Sequence, residues 1–399
     1  MLEPFIRQLK LDSFLSFAPG TATSIALRPL NVVIGPNGAG KSNLIEALEL
    51  LRATSTDFAT AIREGGGAED WLWRGDRHGK VPAKLDVELA QYPLTHRPLR
   101  YKLDFAAVAG RVEILDEAIE ETTPRTGYRD SFFYYRFQHG NPVINIRSNA
   151  PSKKVTERKL ERDSLKPDQS VLAQRKDPDL YPEVTWLGEQ FGRIQTFREW
   201  SFGTRSSLRS AQRADDPVDQ LLPDARNLAL VLNEIQHRDS YLFDNAMKRF
   251  LPRYERLSIR IIGTNVQFYL HETGLNGPIS AARLSDGTLR FLAMLAALLT
   301  PEPPPLLCLE EPELGMHPDA LAQLAELLVE ASTRMQIVVT THSDALLSAL
   351  SDHVESVLVC ENNGAGTTIA HLDAERLAFW LKQYKLGEIW RLGEIGGNP

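Results

Sequence analysis

Cysteine is almost missing from this chain of 399 residues: only Cys308 and Cys360 occur. Two thiols cannot build a disulfide framework or a zinc site by themselves. Both lie in apolar, strand-like runs, LLCLE and SVLVC, which predicts buried structural thiols. Long hydrophobic runs are missing too. The longest, 291–299, is about half a membrane span. The opening MLEPFIRQLKLDSF lacks the basic, apolar and small-residue zones of a signal peptide, so a reduced, cytoplasmic protein with no membrane partner is expected. There is no excess of positive charge. The net charge is −7, so nothing global advertises nucleic acid or an anionic membrane. Internal repeats and long heptad runs are absent as well. What remains is an ordinary globular composition, 43% hydrophobic and 24% charged, long enough for roughly two or three folding units.

The periodicity of apolar residues sorts the chain into regions. FIRQLKLDSF and TSIALRPL alternate like strands, and NVVIG at 31–35 is a continuous apolar strand. A helix opens at Lys41 with Leu44, Ile45, Leu48 and Leu51 on one face. KLDVELAQY, LRYKLDFAAV and the aromatic SFFYYRFQ suggest further strands. Helices are expected near 183–195 and 226–250, and a hairpin over RLSIRIIGTNVQFYLHE. From Leu284 onward helices alternate with the strands LLCLE, QIVVTT and SVLVC. Those strands are unbroken apolar runs, as expected of a parallel sheet buried on both faces. The α/β stretches 25–55 and 284–360 therefore read as two halves of one discontinuous nucleotide-binding domain.

Four segments carry chemistry. GPNGAGKS at 35–42 matches G-x-x-x-x-G-K-[ST], between an apolar strand and an amphipathic helix. Its glycines let backbone N–H groups curve around phosphate oxygens at a helix N-terminus. Lys41 then pairs with the β- and γ-phosphates of ATP, and Ser42 ligates Mg²⁺. LLCLEEPELGMHP ends a dry strand in two adjacent carboxylates, which cannot point the same way. One can face the metal while the other orients water. LSDGTLRF places Ser285, Asp286 and Gly287 at the start of an apolar helix, a second anion site or simply a cap. VVTTHS ends a strand with His342, which can reach a γ-phosphate or the attacking water.

Taken in this order, with IRQLKLDSFLSF and LNVVIGPNGAGKSNLIEAL at the start, these segments resemble the ABC-type ATPase heads of chromosome-maintenance and RecF-like recombination proteins. The nearer likeness is to bacterial stand-alone ATPases without a long coiled coil, whose ending is similar to LAFWLKQYKLGEIWRLGEIGG. The resemblance implies an α/β P-loop head of mixed and parallel sheet with an inserted α+β or helical middle. The lobes would be 1–110 with the phosphate loop and 256–362 with the remaining motifs. An arm would span 111–255, basic around 152–213, and a helical tail 363–399. It also implies ATP and Mg²⁺ as cofactors. ATP contacts would come from Gly35, Pro36, Asn37, Gly38, Ala39, Gly40, Lys41, Ser42 and Asn43. Glu310 and Ser42 would be on the metal side, Glu311 would be the water-orienting base and His342 the switch histidine. Ser285, Asp286 and Gly287 would serve a second subunit in a head-to-head homodimer. The Q-loop glutamine of the family, a further metal-side residue, has two candidates, Gln174 and Gln138, of which Gln174 is taken with Ser42 and Glu310. The sequence departs from the family pattern in reading LSDGT for LSGGQ, in carrying Glu310 for an aspartate, and in carrying Leu15 for an arginine.

Partners are less defined. The basic 152–213 stretch includes Lys153, Lys154, Arg193, Arg198, Arg205, Arg209 and Arg213 alongside Glu199. With Phe197 and Trp200 it offers backbone and stacking contacts to DNA. The alternatives are a nucleotide-gated platform for an effector protein, or an ATPase subunit governing a separate nuclease. The chain shows no acidic cluster after residue 345 that could hold nuclease metals, and it ends early for such a domain. Roles in DNA repair or phage defence suit any of these. Within the acidic segment Glu313 reads as a loop carboxylate, and His317 as a contact to the second subunit.

Overall fold

The structure, a computed structural model, describes residues 2–20, 23–75, 81–138, 140–147, 155–198, 200, 202–203 and 206–396. Lys153, Lys154, Glu199 and Arg205 of the basic stretch lie outside the described residues. The chain begins with β1 (Ile6–Asp12), β2 (Thr23–Ala26), β3 (Leu30–Ile34), α1 (Lys41–Thr54) and α2 (Phe58–Glu64). A run of strands follows: β4 (Ala83–Tyr92), β5 (Arg97–Val108), β6 (Arg111–Glu121), β7 (Phe133–Gln138), β8 (Asn141–Arg147) and β9 (Val155–Lys159). The middle holds α3 (Val171–Gln174), α4 (Pro182–Gly192), β10 (Gln195–Phe197), β11 (Gln212–Arg213) and α5 (Leu228–Phe250). Next come β12 (Tyr254–Ile262), β13 (Asn265–Glu272), β14 (Ile279–Ser280), α6 (Asp286–Leu298), β15 (Leu306–Glu310) and α7 (Pro318–Ala331). The chain closes with β16 (Gln336–Thr340), α8 (Asp344–Ala349), β17 (Val357–Asn362), β18 (Thr367–His371), α9 (Ala374–Leu377) and α10 (Leu386–Arg391).

These strands form three sheets. One has eight strands, ordered β2-β1-β4-β5-β6-β7-β8-β9, and is antiparallel throughout. A second has six strands, ordered β10-β15-β16-β3-β17-β18, parallel except for the last pair. The third joins β11, β12, β13 and β14. β3, from the N-terminal stretch, lies between β16 and β17 from the C-terminal stretch. The two α/β halves expected from the sequence therefore share one sheet. The boundary expected after residue 110 falls in the tight turn of the β5–β6 hairpin, and the antiparallel sheet continues through it. The expected tail at 363–399 opens with a strand, β18, before its short helices.

Unbroken apolar strands suit the six-stranded sheet because it divides two cores. Val32, Ile34, Leu307, Leu309, Ile337 and Val339 face one cluster, with α5, α6 and α7. Their neighbours Val33, Leu306, Cys308, Val338, Leu358 and Cys360 face the other, with α1 and the antiparallel sheet. Period-two alternation thus sends the side chains of the central strands β15, β16 and β3 into one core or the other. Leu44, Ile45, Leu48 and Leu51 of α1 are all buried, at roughly 1.5–3 kcal/mol each for full burial. Both cysteines are free and buried, as expected. No described helix is long and apolar enough to cross a membrane.

Candidate active site

In open α/β sheets the useful crevice lies beyond the carboxyl ends of the strands, and the chemistry-bearing segments gather there. β3 runs into the 35–42 loop, β15 ends at Glu310, and β16 leads through Thr341 to His342. Gly35 (φ +152°) sits so close to the backbone that a Cβ would lie 2.2 Å from the Cys360 carbonyl oxygen. Gly40 (φ +113°) would place one 2.4 Å from Thr367 Oγ1. Both positions demand glycine. Thr367 Oγ1 donates to the Ala39 carbonyl at 2.7 Å, and Cys360 Sγ lies 3.4 Å from the same oxygen. β17 and β18 therefore brace the back of the loop. Asn43 donates to Ser16 Oγ at 2.6 Å, which ties the helix start to the β1–β2 connection.

Lys41 is buried, and its ammonium donates to the carbonyls of Gly35 (2.7 Å) and Pro36 (3.1 Å). Burial lowers its pKa, opposed by the nearby Cys360, Glu311, Glu310 and Glu313. Ser42 Oγ donates to Glu310 Oε1 at 2.5 Å. A hydroxyl and a carboxylate oxygen converging at a helix start are hard donors of the kind Mg²⁺ takes when phosphates and waters complete its shell. These residues fit that ion.

The two adjacent glutamates do diverge. Glu311 holds φ +46°, a left-handed conformation costly for a residue with a Cβ. Its N–H donates to the Thr340 carbonyl at 3.0 Å, and its Oε1 lies 3.4 Å from His342 Nε2. Burial and then Lys41 depress the His342 pKa, while Glu311 works against them. Glu313 has a larger part than that of a loop carboxylate. Its Oε1 accepts from Thr341 Oγ1 (2.6 Å) and the His342 N–H (2.9 Å), clamping β15's exit loop to β16's. Burial raises its pKa against those hydrogen bonds. His317 caps α7 by accepting from the Asp319 N–H, and it is exposed.

Ser285 caps α6, accepting from the Thr288 N–H at 3.1 Å. Ser285 and Asp286 are exposed, and a Cβ on Gly287 would lie 3.3 Å from the Gly315 carbonyl. Arg209 holds this turn from behind. It pairs with Asp286 and donates to the carbonyls of Leu284 (2.7 Å) and Ala282 (3.2 Å).

Arg198 is the residue that motif reading misplaced. β10 pairs in parallel with β15, Phe197 opposite Leu309, so the next residue stands beside Glu310. Arg198 Nε donates to Glu310 Oε2 at 2.7 Å, and its outer nitrogens reach Glu46 (3.2 Å) and Glu49 (3.6 Å) on α1. Burial opposes its charge, but Glu310 and Glu46 outweigh it and raise its pKa. A strand of only three residues gives almost no periodic signal. The usable clue was IQTFR, in which Ile194 and Phe197 bracket two polar residues just before a cation.

The two Q-loop candidates are not brought to this crevice. The Gln174 amide is engaged with the backbone of Lys166 and Gln169, and Gln138 pairs with Asn141 at the β7–β8 hairpin. Of the two aromatics expected to stack on bases, only Trp200 keeps an exposed part. Phe197 is buried, and the Trp200 indole donates to the Pro223 carbonyl while packing on Phe197 and Phe202.

A family model described as "AAA domain, putative AbiEii toxin, Type IV TA system" matches residues 30–348. No curated protein matches the chain. Among solved structures, an SMC head bound to the C-terminal winged-helix domain of ScpA is similar at TM-score 0.57 and 13% identity, covering 94% of this chain and 99% of that one. An SMC head with an extended coiled coil from Pyrococcus furiosus, bound to the C-terminal domain of ScpA, is similar at TM-score 0.56 and 13% identity, covering 96% and 99%. At that identity the likeness shows the fold alone, that of an SMC head.

Proposed function

Because the chain belongs to the family described as AAA domain, putative AbiEii toxin, Type IV TA system, we propose that it binds and hydrolyses ATP at the 35–42 loop. The observation carrying this reading is the convergence of three strand ends. Ser42 meets Glu310, and Glu311 meets His342, beside the buried Lys41. Backbone N–H groups of the loop and the Lys41 ammonium hold the phosphates. Ser42 and Glu310 would hold Mg²⁺, which would supply charge neutralisation on the bound phosphates. Glu311 accepts the proton of the attacking water, and its backbone strain fixes that carboxylate toward His342. His342, whose pKa burial and then Lys41 hold below the ordinary imidazole value, donates a hydrogen bond to the γ-phosphate.

Ser285, Asp286 and Gly287 lie against Gly315 and Arg209, and Ser285 and Asp286 present exposed side chains. They serve a second copy in an ATP-linked, head-to-head dimer. One chain then holds only part of each site, and turnover per chain rises with protein concentration through the dimerisation range. Flat turnover across that range contradicts the composite site.

The client we favour is an effector protein rather than DNA. Arg193 donates to the Pro303 carbonyl, Arg198 is held by three glutamates and Arg209 by the α6 turn. These cations already have partners. The similar SMC heads are complexes with a partner protein, ScpA. A pull-down with ATP-trapped Glu311→Gln tests this choice: a protein recovered without nucleic acid supports it, and duplex DNA that binds and stimulates ATPase at low salt overturns it.

A further inference from the structure

The ATP-site reading leaves Arg198 without a role, although it holds the carboxylate on the metal side. Both Glu310 oxygens are taken: Oε1 accepts from Ser42 and Oε2 accepts from Arg198. The guanidinium is only partly exposed, at 31%, and Glu310 at 16%. On its other side stand Glu46 and Glu49, three residues apart on α1 and so on one helix face. One cation is thus shared among three carboxylates. Two of them belong to the helix that the phosphate loop opens.

We propose that Arg198 is a positioning residue that switches between two seats, holding Glu310 until the metal–nucleotide complex arrives and then resting on Glu46 and Glu49. This rests on the ATP-site reading and deepens it. A guanidinium and a divalent cation repel each other across a shared carboxylate. Arg198 and Mg²⁺ therefore compete for Glu310. Without metal, Arg198 neutralises Glu310 and keeps it aimed at Ser42. With metal, the outer nitrogens that already face Glu46 and Glu49 let the guanidinium swing away without losing its ion pairs. A fork of five donors can span both seats; a lysine, a point charge, cannot.

The competition predicts shifts of opposite sign, which a merely structural arginine would not produce. The measurement is Mg²⁺ titration of a fluorescent ATP analogue bound to the full chain, with its midpoint compared between variants. Arg198→Gln removes the competitor and lowers the midpoint about five-fold, while the double variant Glu46→Gln/Glu49→Gln removes the second seat and raises it about two-fold. Arg198→Lys falls between wild type and Arg198→Gln. It also supplies the comparison if Arg198→Gln does not fold. An unchanged or raised midpoint in Arg198→Gln, or a lowered one in the double variant, overturns the switch. A wild-type chain that binds no nucleotide at any Mg²⁺ concentration overturns the ATP-site reading, and the switch with it.

Discussion

The six-stranded sheet and the eight-stranded sheet use carboxylates in opposite ways. In the antiparallel sheet they are closed into fixed pairs on the strands themselves. Arg100 forks onto Asp86, Lys102 reaches Glu120 at 2.6 Å, and the buried Glu121 is held by Arg125 and Arg97. In the parallel sheet the strands carry no charge until their ends. There Glu310, Glu311 and Glu313 crowd beside Ser42, Lys41, Thr341 and His342. Charges within a sheet add to its register and its specificity; charges at the carboxyl ends of a parallel sheet are left to act on something that enters the crevice. One residue crosses the divide. Glu117, on β6, is buried; among the described residues it has no cation partner and accepts from Tyr101 OH (2.8 Å), the Val171 N–H (3.0 Å) and Ser170. Burial lifts its pKa to about 7 despite those donors.

The largest effect that sharpens this contrast is at Glu311. Glu311→Gln keeps the hydrogen-bonding shape and removes the base, so turnover falls by roughly 10²–10⁴-fold while ATP still binds. The nucleotide-bound dimer then accumulates, visible by size-exclusion chromatography with ATP. A carboxylate from the closed pairs, by contrast, should leave turnover almost untouched.

Glu117 gives the next effect, and it is one of stability. Its pKa is higher in the folded chain than when unfolded, so between about pH 4.5 and 7 the folded state binds more protons. Stability therefore falls as pH rises through that window, by about 3 kcal/mol at most, and the penalty is constant above it. Urea melts of wild type and Glu117→Gln from pH 5 to 8 isolate this term. The wild type should lose stability relative to the variant as pH rises, and parallel curves would place Glu117 with the ordinary closed pairs.

A smaller effect is expected where β18, the one antiparallel strand of the mixed sheet, supports the phosphate loop. Gly40→Ala forces a Cβ toward Thr367 at φ +113° and should destabilise the chain by about 1–3 kcal/mol, read from urea melts. A destabilisation confined to nucleotide affinity would mean the loop is not braced by β18.

What the sequence revealed follows the same division. Continuous apolar strands and a loop with a fixed glycine spacing are local patterns, so GPNGAGKS, Glu310, Glu311 and His342 could be singled out in the sequence, and they meet at one end of the parallel sheet. The sharing of one sheet by β3, β15 and β16 was legible from the matching α/β pattern of two distant stretches. Arg198 was not, because its place depends on the register of a three-residue strand against β15. Lying among other arginines, it read as part of a basic surface. Glu313 was undervalued for a related reason: its clamp on Thr341 and His342 exists only when two loops meet. The extent of the antiparallel sheet past residue 110 was also hidden, since a hairpin turn and a domain junction look alike in composition.

The proposed site is built from two copies, and complementation tests it most directly. Lys41→Ala removes the phosphate lysine, and Ser285→Arg blocks the segment offered to the second copy. Each variant alone should be inactive. Mixed in equal amounts, they form hybrids with one intact composite site, and activity should return to about a quarter of wild type. No recovery on mixing, or full activity of Ser285→Arg alone, would contradict a site shared between copies.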